Sequence, residues 1–265
     1  EGVMGHVMVT SRGTPGREPL RFLRVNRTHS MGGGLGYSEK RWGHTALLLS
    51  PRRGRALFLG LGTAGSMAAA AAYDFHSIEG VELIPQVIEA IPLFAQMNDS
   101  IFTHPDVTIH CSDARRFMAA DTSRYEAIVA DLYHPDVSGV TALYSQEHFE
   151  RIRARLTPGG TFAQLIPIYQ INGRTLKTIL RTFLSVFDSA HCFMGHYSLL
   201  APLVVVGSVG DPPPVSTLDT LIRTNPAVSP YVESADALLG SFVCGTEELQ
   251  RFAGEGPVNT DLNPV

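Results

Sequence analysis

Between Arg55 and Glu82 the chain reads RALFLGLGTAGSMAAAAAYDFHSIEGVE, and this stretch constrains the fold more than any other. An apolar run from Ala56 to Leu61 enters the turn Gly60-x-Gly62-x-x-Gly65. An alanine-rich helical segment follows, and a second strand ends on Glu82, twenty residues after Gly62. Glycines at such a turn allow backbone to approach a ligand, and the N–H groups that open the following helix are free to bond it. A carboxylate at the end of the second strand can accept both hydroxyls of a ribose. The glycines alone would equally suit a plain turn. With strand, helix and acid in register, Gly60, Gly62, Gly65 and Glu82 predict a site for an adenosine-type nucleotide.

The rest of the chain supplies the sheet that such a turn needs. Strand and helix alternate from Ala56 onward, the pattern of a parallel sheet covered on both faces, so the fold class is α/β and Rossmann-like. Pro85 opens a helix in which Val87, Ile88, Ile91, Phe94 and Ala95 recur at helical spacing. Strands are expected at Val107–Cys111, Ala127–Ala130 and Thr161–Ile166, with a helix at Gln146–Leu156 stopped by Pro158-Gly159-Gly160. Two final strands, His191–Gly195 and Leu203–Gly207, flank a hairpin-like connection. The runs 3–10 and 20–26 read as a β-hairpin appendage, and Met31–Gly36 as a glycine-rich hinge before a helix over Tyr37–Leu49. Three regions result: a hairpin region (1–36), a Rossmann-like domain (37–210) and a C-terminal helical extension (211–265) opened by Asp211-Pro212-Pro213-Pro214. In the extension, helix-like pieces fall at Ser234–Leu239 and Glu247–Phe252.

With 265 residues, 44% of them hydrophobic and 17% charged, the chain can bury a sizeable core. Its net charge of −4 argues against binding nucleic acid through phosphate neutralisation. Cys111, Cys192 and Cys244 are odd in number and far apart, which suggests neither a disulfide framework nor a zinc site and suits a reducing, cytoplasmic setting. No metal-ligating motif, nucleophile elbow or Walker lysine occurs. No apolar run is long enough to span a bilayer. The chain starts at Glu1 rather than methionine, which suggests a portion of something longer.

In an open parallel sheet, ligands bind beyond the C-terminal ends of the strands. Glu82, Asp113 and Asp131 all lie at such ends. Asp113 suits either the exocyclic amine of adenine or a helix N-cap. Asp131 ends an apolar strand and opens a polar loop, 132–139, where a carboxylate can take a proton from an incoming amine or orient it, or simply cap a turn. His134 lies in that loop as a second polar group. Tyr37 and Glu39 follow the hinge and can close over a substrate, and Tyr169 and Gln170 share the same sheet edge.

These residues resemble the spermidine synthase family of polyamine aminopropyltransferases. The likeness rests on Leu23-Arg24-Val25-Asn26 with Met31-Gly32-Gly33, on Tyr37-Ser38-Glu39, and on Gly60–Gly65 with Val81-Glu82-Leu83. It continues through Asp113-Ala114-Arg115, Asp131-Leu132-Tyr133-His134-Pro135 and Leu143-Tyr144-Ser145 with Phe149. The DLYHP and PIYQ stretches, with Asn259-Thr260-Asp261, are similar to a bacterial branch often fused to a multi-pass membrane segment, which would place the domain on the cytosolic face.

The resemblance implies the class I S-adenosylmethionine-dependent methyltransferase fold, with a mostly parallel seven-stranded sheet, and homodimers formed through the hairpin. It implies transfer of an aminopropyl group from decarboxylated S-adenosylmethionine to an amine such as putrescine, with release of methylthioadenosine and without a metal. It puts the base on Asp131, ribose binding on Glu82, adenine binding on Asp113 and Ala114, and Tyr37 in the pocket for amine and donor. Three positions depart from the family pattern. Thr63 and His134 stand where aspartates are usual, and Ser38 where a glutamine is. Each lost charge-assisted contact is worth about 1.5–3 kcal/mol. The departures leave room for a different acceptor, for S-adenosylmethionine itself as methyl donor, or for a non-catalytic nucleoside-binding module.

Overall fold

The structure, a computed structural model, describes residues 6–13, 16, 18–26, 29–33, 36–131, 139–196, 201–210 and 213–264. The N-terminus forms an antiparallel sheet of three strands, β1 (Val7–Arg12), β2 (Leu20–Val25) and β3 (His29–Gly32). The expected hairpin is therefore joined by a third strand, drawn from the stretch read as a hinge. Only four residues long and ending in glycine, β3 carries too little β-propensity to announce itself, and pairing with β2 makes it. Leu23 and Val25 bury the small sheet against Val87, Ala90, Phe94 and Met97.

Helix α1 (Tyr37–Leu48) leads to strand β4 (Arg55–Leu59), and from Ala56 to Leu59 every β4 side chain is buried. That is the signature of a central strand covered on both faces. The alanine run is a short helix, α2 (Gly65–Ala68), passing into a 3₁₀ turn at Ala69–Ala72 before β5 (Ser77–Glu82). Pro85 is the first residue of α3 (Pro85–Ala90). The periodicity beyond it does not continue as one helix: a 3₁₀ turn at Ile91–Phe94 intervenes before α4 (Ala95–Asn98). Pro92 lacks the N–H that an unbroken helix requires there.

Next come β6 (Val107–Cys111), α5 (Ala114–Ala120), β7 (Tyr125–Ala130) and α6 (Gln146–Arg155). The Pro158-Gly159-Gly160 segment does not stop α6. The helix ends at Arg155, and β8 (Leu156–Ile166) runs straight through the Pro-Gly-Gly, with an irregularity in its pairing to β7 between Tyr125 and Ala127. A bulge accommodates what a regular ladder would reject. Helix α7 (Gly173–Leu184) leads into the antiparallel pair β9 (Ser189–Met194) and β10 (Leu203–Ser208). The C-terminal region adds α8 (Val215–Thr224), α9 (Ser229–Val232), α10 (Ala235–Gly240), β11 (Phe242–Cys244) and α11 (Thr246–Ala253).

The large sheet has eight strands in the order β11-β9-β10-β8-β7-β4-β5-β6, one more than expected because β11 adds to the far edge. The strand order reverses between β4 and β7, so ligands are expected beyond the C-terminal ends of these two strands. One face packs beneath α1, α2, α8 and α10 through Trp42, Leu47, Met67, Leu218, Ile222 and Leu238. On the other, Phe149, Phe162, Phe183 and Phe187 stack with ring centroids 4.8–5.8 Å apart. Helix α1 lies directly on α2 because residue 43 is glycine: a Cβ there would sit 2.4 Å from the Ser66 carbonyl oxygen. Among the described residues, no helix is long and apolar enough to cross a membrane.

Candidate active site

The loop Gly60–Gly65 leaves β4 with three residues at positive φ: Gly60 at 80°, Gly62 at 51° and Ala64 at 61°. For Ala64 this is an uncommon conformation, and the neighbouring structure holds it in place. Gly62 also needs its missing side chain, since a Cβ would lie 2.8 Å from Met31 Sδ. The N-terminal sheet thus reaches the glycine turn through the Met31 side chain.

Glu82 ends β5 directly beside this turn. Its Oε2 accepts from the N–H groups of Leu61 (3.1 Å) and Gly62 (3.4 Å), and its Oε1 from Ile84 N–H (3.0 Å). A carboxylate offers about four lone-pair directions. One remains for a ribose hydroxyl, and the 3.4 Å contact is the weakest to exchange for a second. Asp113 caps α5 by accepting from Arg116 N–H at 2.9 Å, and it also lines the cleft with Ala114. This cleft, about 200 Å³, is bounded by Gly60, Gly62, Val81, Ile84 and Leu143 as well.

A second cavity of about 180 Å³ adjoins it. Met31, Leu61, Gly62 and Asp131 line both, so Asp131 stands at the junction. Its backbone N–H continues the sheet by donating to Leu59 O (2.9 Å), and its Oδ2 accepts from Ser66 Oγ at 2.8 Å. The hydroxyl fixes one carboxylate oxygen at the meeting point of the two spaces. Glu39, Thr63, Gly65, Tyr169 and Gln170 line the second cavity. Burial pushes the Glu39 carboxyl up from the ordinary carboxylate range. Burial, then the charges of Asp131 and Glu39, raise the Tyr169 phenol. Gln170 has a buried Oε1 without a hydrogen-bond partner among the described residues.

The expected site residues do not all converge. Tyr37 and Ser38 line neither cavity. Tyr37 is 46% exposed and turned to the C-terminal region, where its Oη donates to Tyr231 O (3.4 Å) and the two rings lie 5.6 Å apart. Lys40 and Arg41 go the same way, to Tyr231 and, for Lys40, to Asp99 at 2.6 Å. Helix α1 thereby sends its basic residues away from the cavity and keeps Glu39 in it. His134 lies outside the described residues. Trp42 and Ser66 belong to the site although no sequence motif singles them out. Trp42 lies three residues after Glu39 on one helix, a spacing that shares a face.

A switch-point cleft with a glycine turn and an acid at the next strand end defines a Rossmann-like domain of the class I methyltransferase type. Residues 36–197 match the family model described as "Spermine/spermidine synthase domain". The polyamine aminopropyltransferase of Corynebacterium efficiens is 32% identical over 163 residues, 58% of this chain and 29% of that protein. Polyamine aminopropyltransferase 2 of Bacillus anthracis is 33% identical over 72 residues, 27% of this chain and 20% of that protein. A crystal structure of spermidine synthase in complex with the transition-state analogue AdoDATO superposes with a TM-score of 0.71. It covers 94% of this chain and 88% of the other at 17% identity, a likeness of fold. The chain belongs to the spermine/spermidine synthase family. It spans less than a third of the length of the two curated relatives.

Proposed function

We propose that this domain transfers an aminopropyl group from decarboxylated S-adenosylmethionine to a small amine, releasing methylthioadenosine. The observation that carries the reading is Asp131, held by Ser66 where a nucleoside-sized cleft meets an acid-walled cavity. The relatives' names supply the reaction class, and AdoDATO in the similar spermidine synthase supplies the kind of ligand.

In this reading Glu82 takes the ribose hydroxyls, and Asp113 with Ala114 takes the adenine. The sulfonium then sits near Asp131, with its propyl arm in the second cavity. An alkylamine has a pKa of about 10.4, so most of it is protonated at neutral pH and has no lone pair to attack with. Asp131 accepts that proton. The amine nitrogen bonds to the propyl carbon as the carbon–sulfur bond breaks, and the bonding pair goes to sulfur, cancelling its charge. Both carboxylates favour cations in the cavity before the step, and the glycine turn leaves the departing thioether uncrowded.

Incubating the chain with decarboxylated S-adenosylmethionine and a panel of diamines, then separating the nucleosides, tests the proposal. Methylthioadenosine is expected, and Asp131→Asn should form it at least about 100-fold more slowly, the range for a lost acid–base group. Release of S-adenosylhomocysteine from S-adenosylmethionine, with no methylthioadenosine from any amine, would show methyl transfer instead. An Asp131→Asn variant as fast as the parent would remove Asp131 from the chemistry.

A further inference from the structure

The second cavity has a one-sided charge. Glu39 and Asp131 both line it, and no lysine, arginine or histidine does among the described residues. The nearest basic residue in sequence, Lys40, is committed to Asp99 and Tyr231. Asp131 has the Ser66 hydroxyl as a partner, whereas Glu39 has no hydrogen bond or ion pair to another side chain among the described residues. Burial raises the energy of the Glu39 carboxylate more than the charge of Lys40 lowers it, and a ligand cation in the cavity reduces the penalty that remains.

The position of Glu39 says which cation. A Cβ on Gly65 would lie 2.7 Å from Glu39 Cβ and 3.3 Å from its Cγ, so the stem of Glu39 rests directly on the glycine turn. The same turn provides Thr63, which adds no charge to that wall. Gly62, one residue before Thr63, is shared with the nucleoside cleft. A chain leaving the sulfur of a bound nucleoside therefore runs along this turn toward Glu39. Trp42 and Tyr169, in the same cavity, offer aromatic surface that suits an ammonium.

We propose that Glu39 selects the donor by charge: it binds the terminal ammonium of the group on sulfur and rejects a donor that also carries a carboxylate there. The inference rests on the nucleoside reading of the adjoining cleft. A carboxylate on the donor would face Glu39 and Asp131 with no cation lining that wall among the described residues, and specificity follows from that penalty as much as from the attraction.

Calorimetry with three nucleosides tests it. Methylthioadenosine has no ammonium, decarboxylated S-adenosylmethionine has the ammonium alone, and S-adenosylmethionine has ammonium and carboxylate. The parent is expected to prefer the decarboxylated donor over the carboxylated one by at least about tenfold, because the first forms a charge-assisted hydrogen bond and avoids the repulsion that the second meets. Glu39→Gln should weaken the decarboxylated donor about tenfold or more and shrink that preference, with methylthioadenosine affinity changed less than about twofold. Glu39→Asp keeps the charge and should keep the preference, which separates charge from shape and from any general damage to the fold. If both variants bind as the parent does, or Glu39→Asp loses the preference as fully as Glu39→Gln, the assignment of Glu39 is overturned while the cleft reading stands. If the parent fails to bind methylthioadenosine at all, it is the cleft reading that falls.

Discussion

Replacing Gly43 by alanine sets helix propensity against packing, and the structure says which prevails. Gly43 is buried in the middle of α1, where alanine would favour the helix by about 1 kcal/mol. Against that, the new methyl would lie 2.4 Å from the Ser66 carbonyl oxygen and 2.9 Å from Ala69 Cβ. The first is a backbone atom and the second is fixed to one, so neither can rotate away and α1 has to move off α2. Overpacking of this kind typically costs about 1–3 kcal/mol, more when the obstacle is backbone. The net expectation is a loss of about 1–2 kcal/mol, or roughly 2–8 °C in Tm for a chain of this size. Differential scanning calorimetry against Gly173→Ala supplies the control. Gly173 begins α7 with nothing within 4 Å of where an added methyl would lie, so that substitution should be neutral or stabilise slightly. A Gly43→Ala protein as stable as its parent would refute the claim that α1 is seated by contact at residue 43. Because Ser66 also donates to Asp131, the same displacement should slow methylthioadenosine release in protein that remains folded.

Two further perturbations read the site and the core separately. Glu82→Gln replaces an acceptor of three backbone N–H groups with an amide that has one acceptor oxygen and loses the charge. Methylthioadenosine should bind about 10–100-fold more weakly by calorimetry, from roughly 1.5–3 kcal/mol per charge-assisted contact, and undiminished binding would place the ribose elsewhere. The core predicts an acid limb of stability. Burial holds the pKa of both His44 and His148 down to about 3, from an ordinary value of 6.5. As pH falls below 6.5 the unfolded chain takes up these protons before the folded one, so stability is full above that pH and declines toward 3. At about pH 5 each histidine accounts for about 2 kcal/mol of the loss. Neither ring nitrogen of His148 is hydrogen-bonded among the described residues, so His148→Leu should flatten the urea-unfolding midpoint between about pH 6.5 and 5; an unchanged slope would refute the assignment.

The sequence made the centre of the sheet legible because its chemistry is local. Ala56–Leu59, the glycine turn and Glu82 each carry their instruction within a few residues, and they lie together as the spacing implied. What escaped depended on distant partners. The His29–Gly32 strand exists because β2 offers it an edge, and β11 because β9 does. Pro158-Gly159-Gly160 has the composition of a stop yet lies inside a strand, since β7 pairs with Leu156 and Thr161 on either side of it and Gly159 and Gly160 bond Val209, just past β10. The same limit governs the site. Asp131 was identifiable as a strand-end carboxylate, but Ser66, which fixes its Oδ2, is separated from it by 65 positions.

Glu39 shows most clearly how the fold sets the surroundings of a residue that the sequence places only locally. In sequence it is an acid just after the glycine-rich stretch, able to close over a substrate, with Lys40 next to it. The C-terminal region changes that by taking Lys40 and Arg41 through Tyr231, about 190 positions away. Glycine at 65 then lets the stem of Glu39 settle on the nucleotide turn. Removing the Tyr231 side chain would leave Lys40 with Asp99 as its sole side-chain partner among the described residues, and Asp99 is largely exposed. In the proposed reading of Glu39, selectivity at the cavity depends on where the basic residues of α1 are held, Lys40 and Arg41 at Tyr231 of α9.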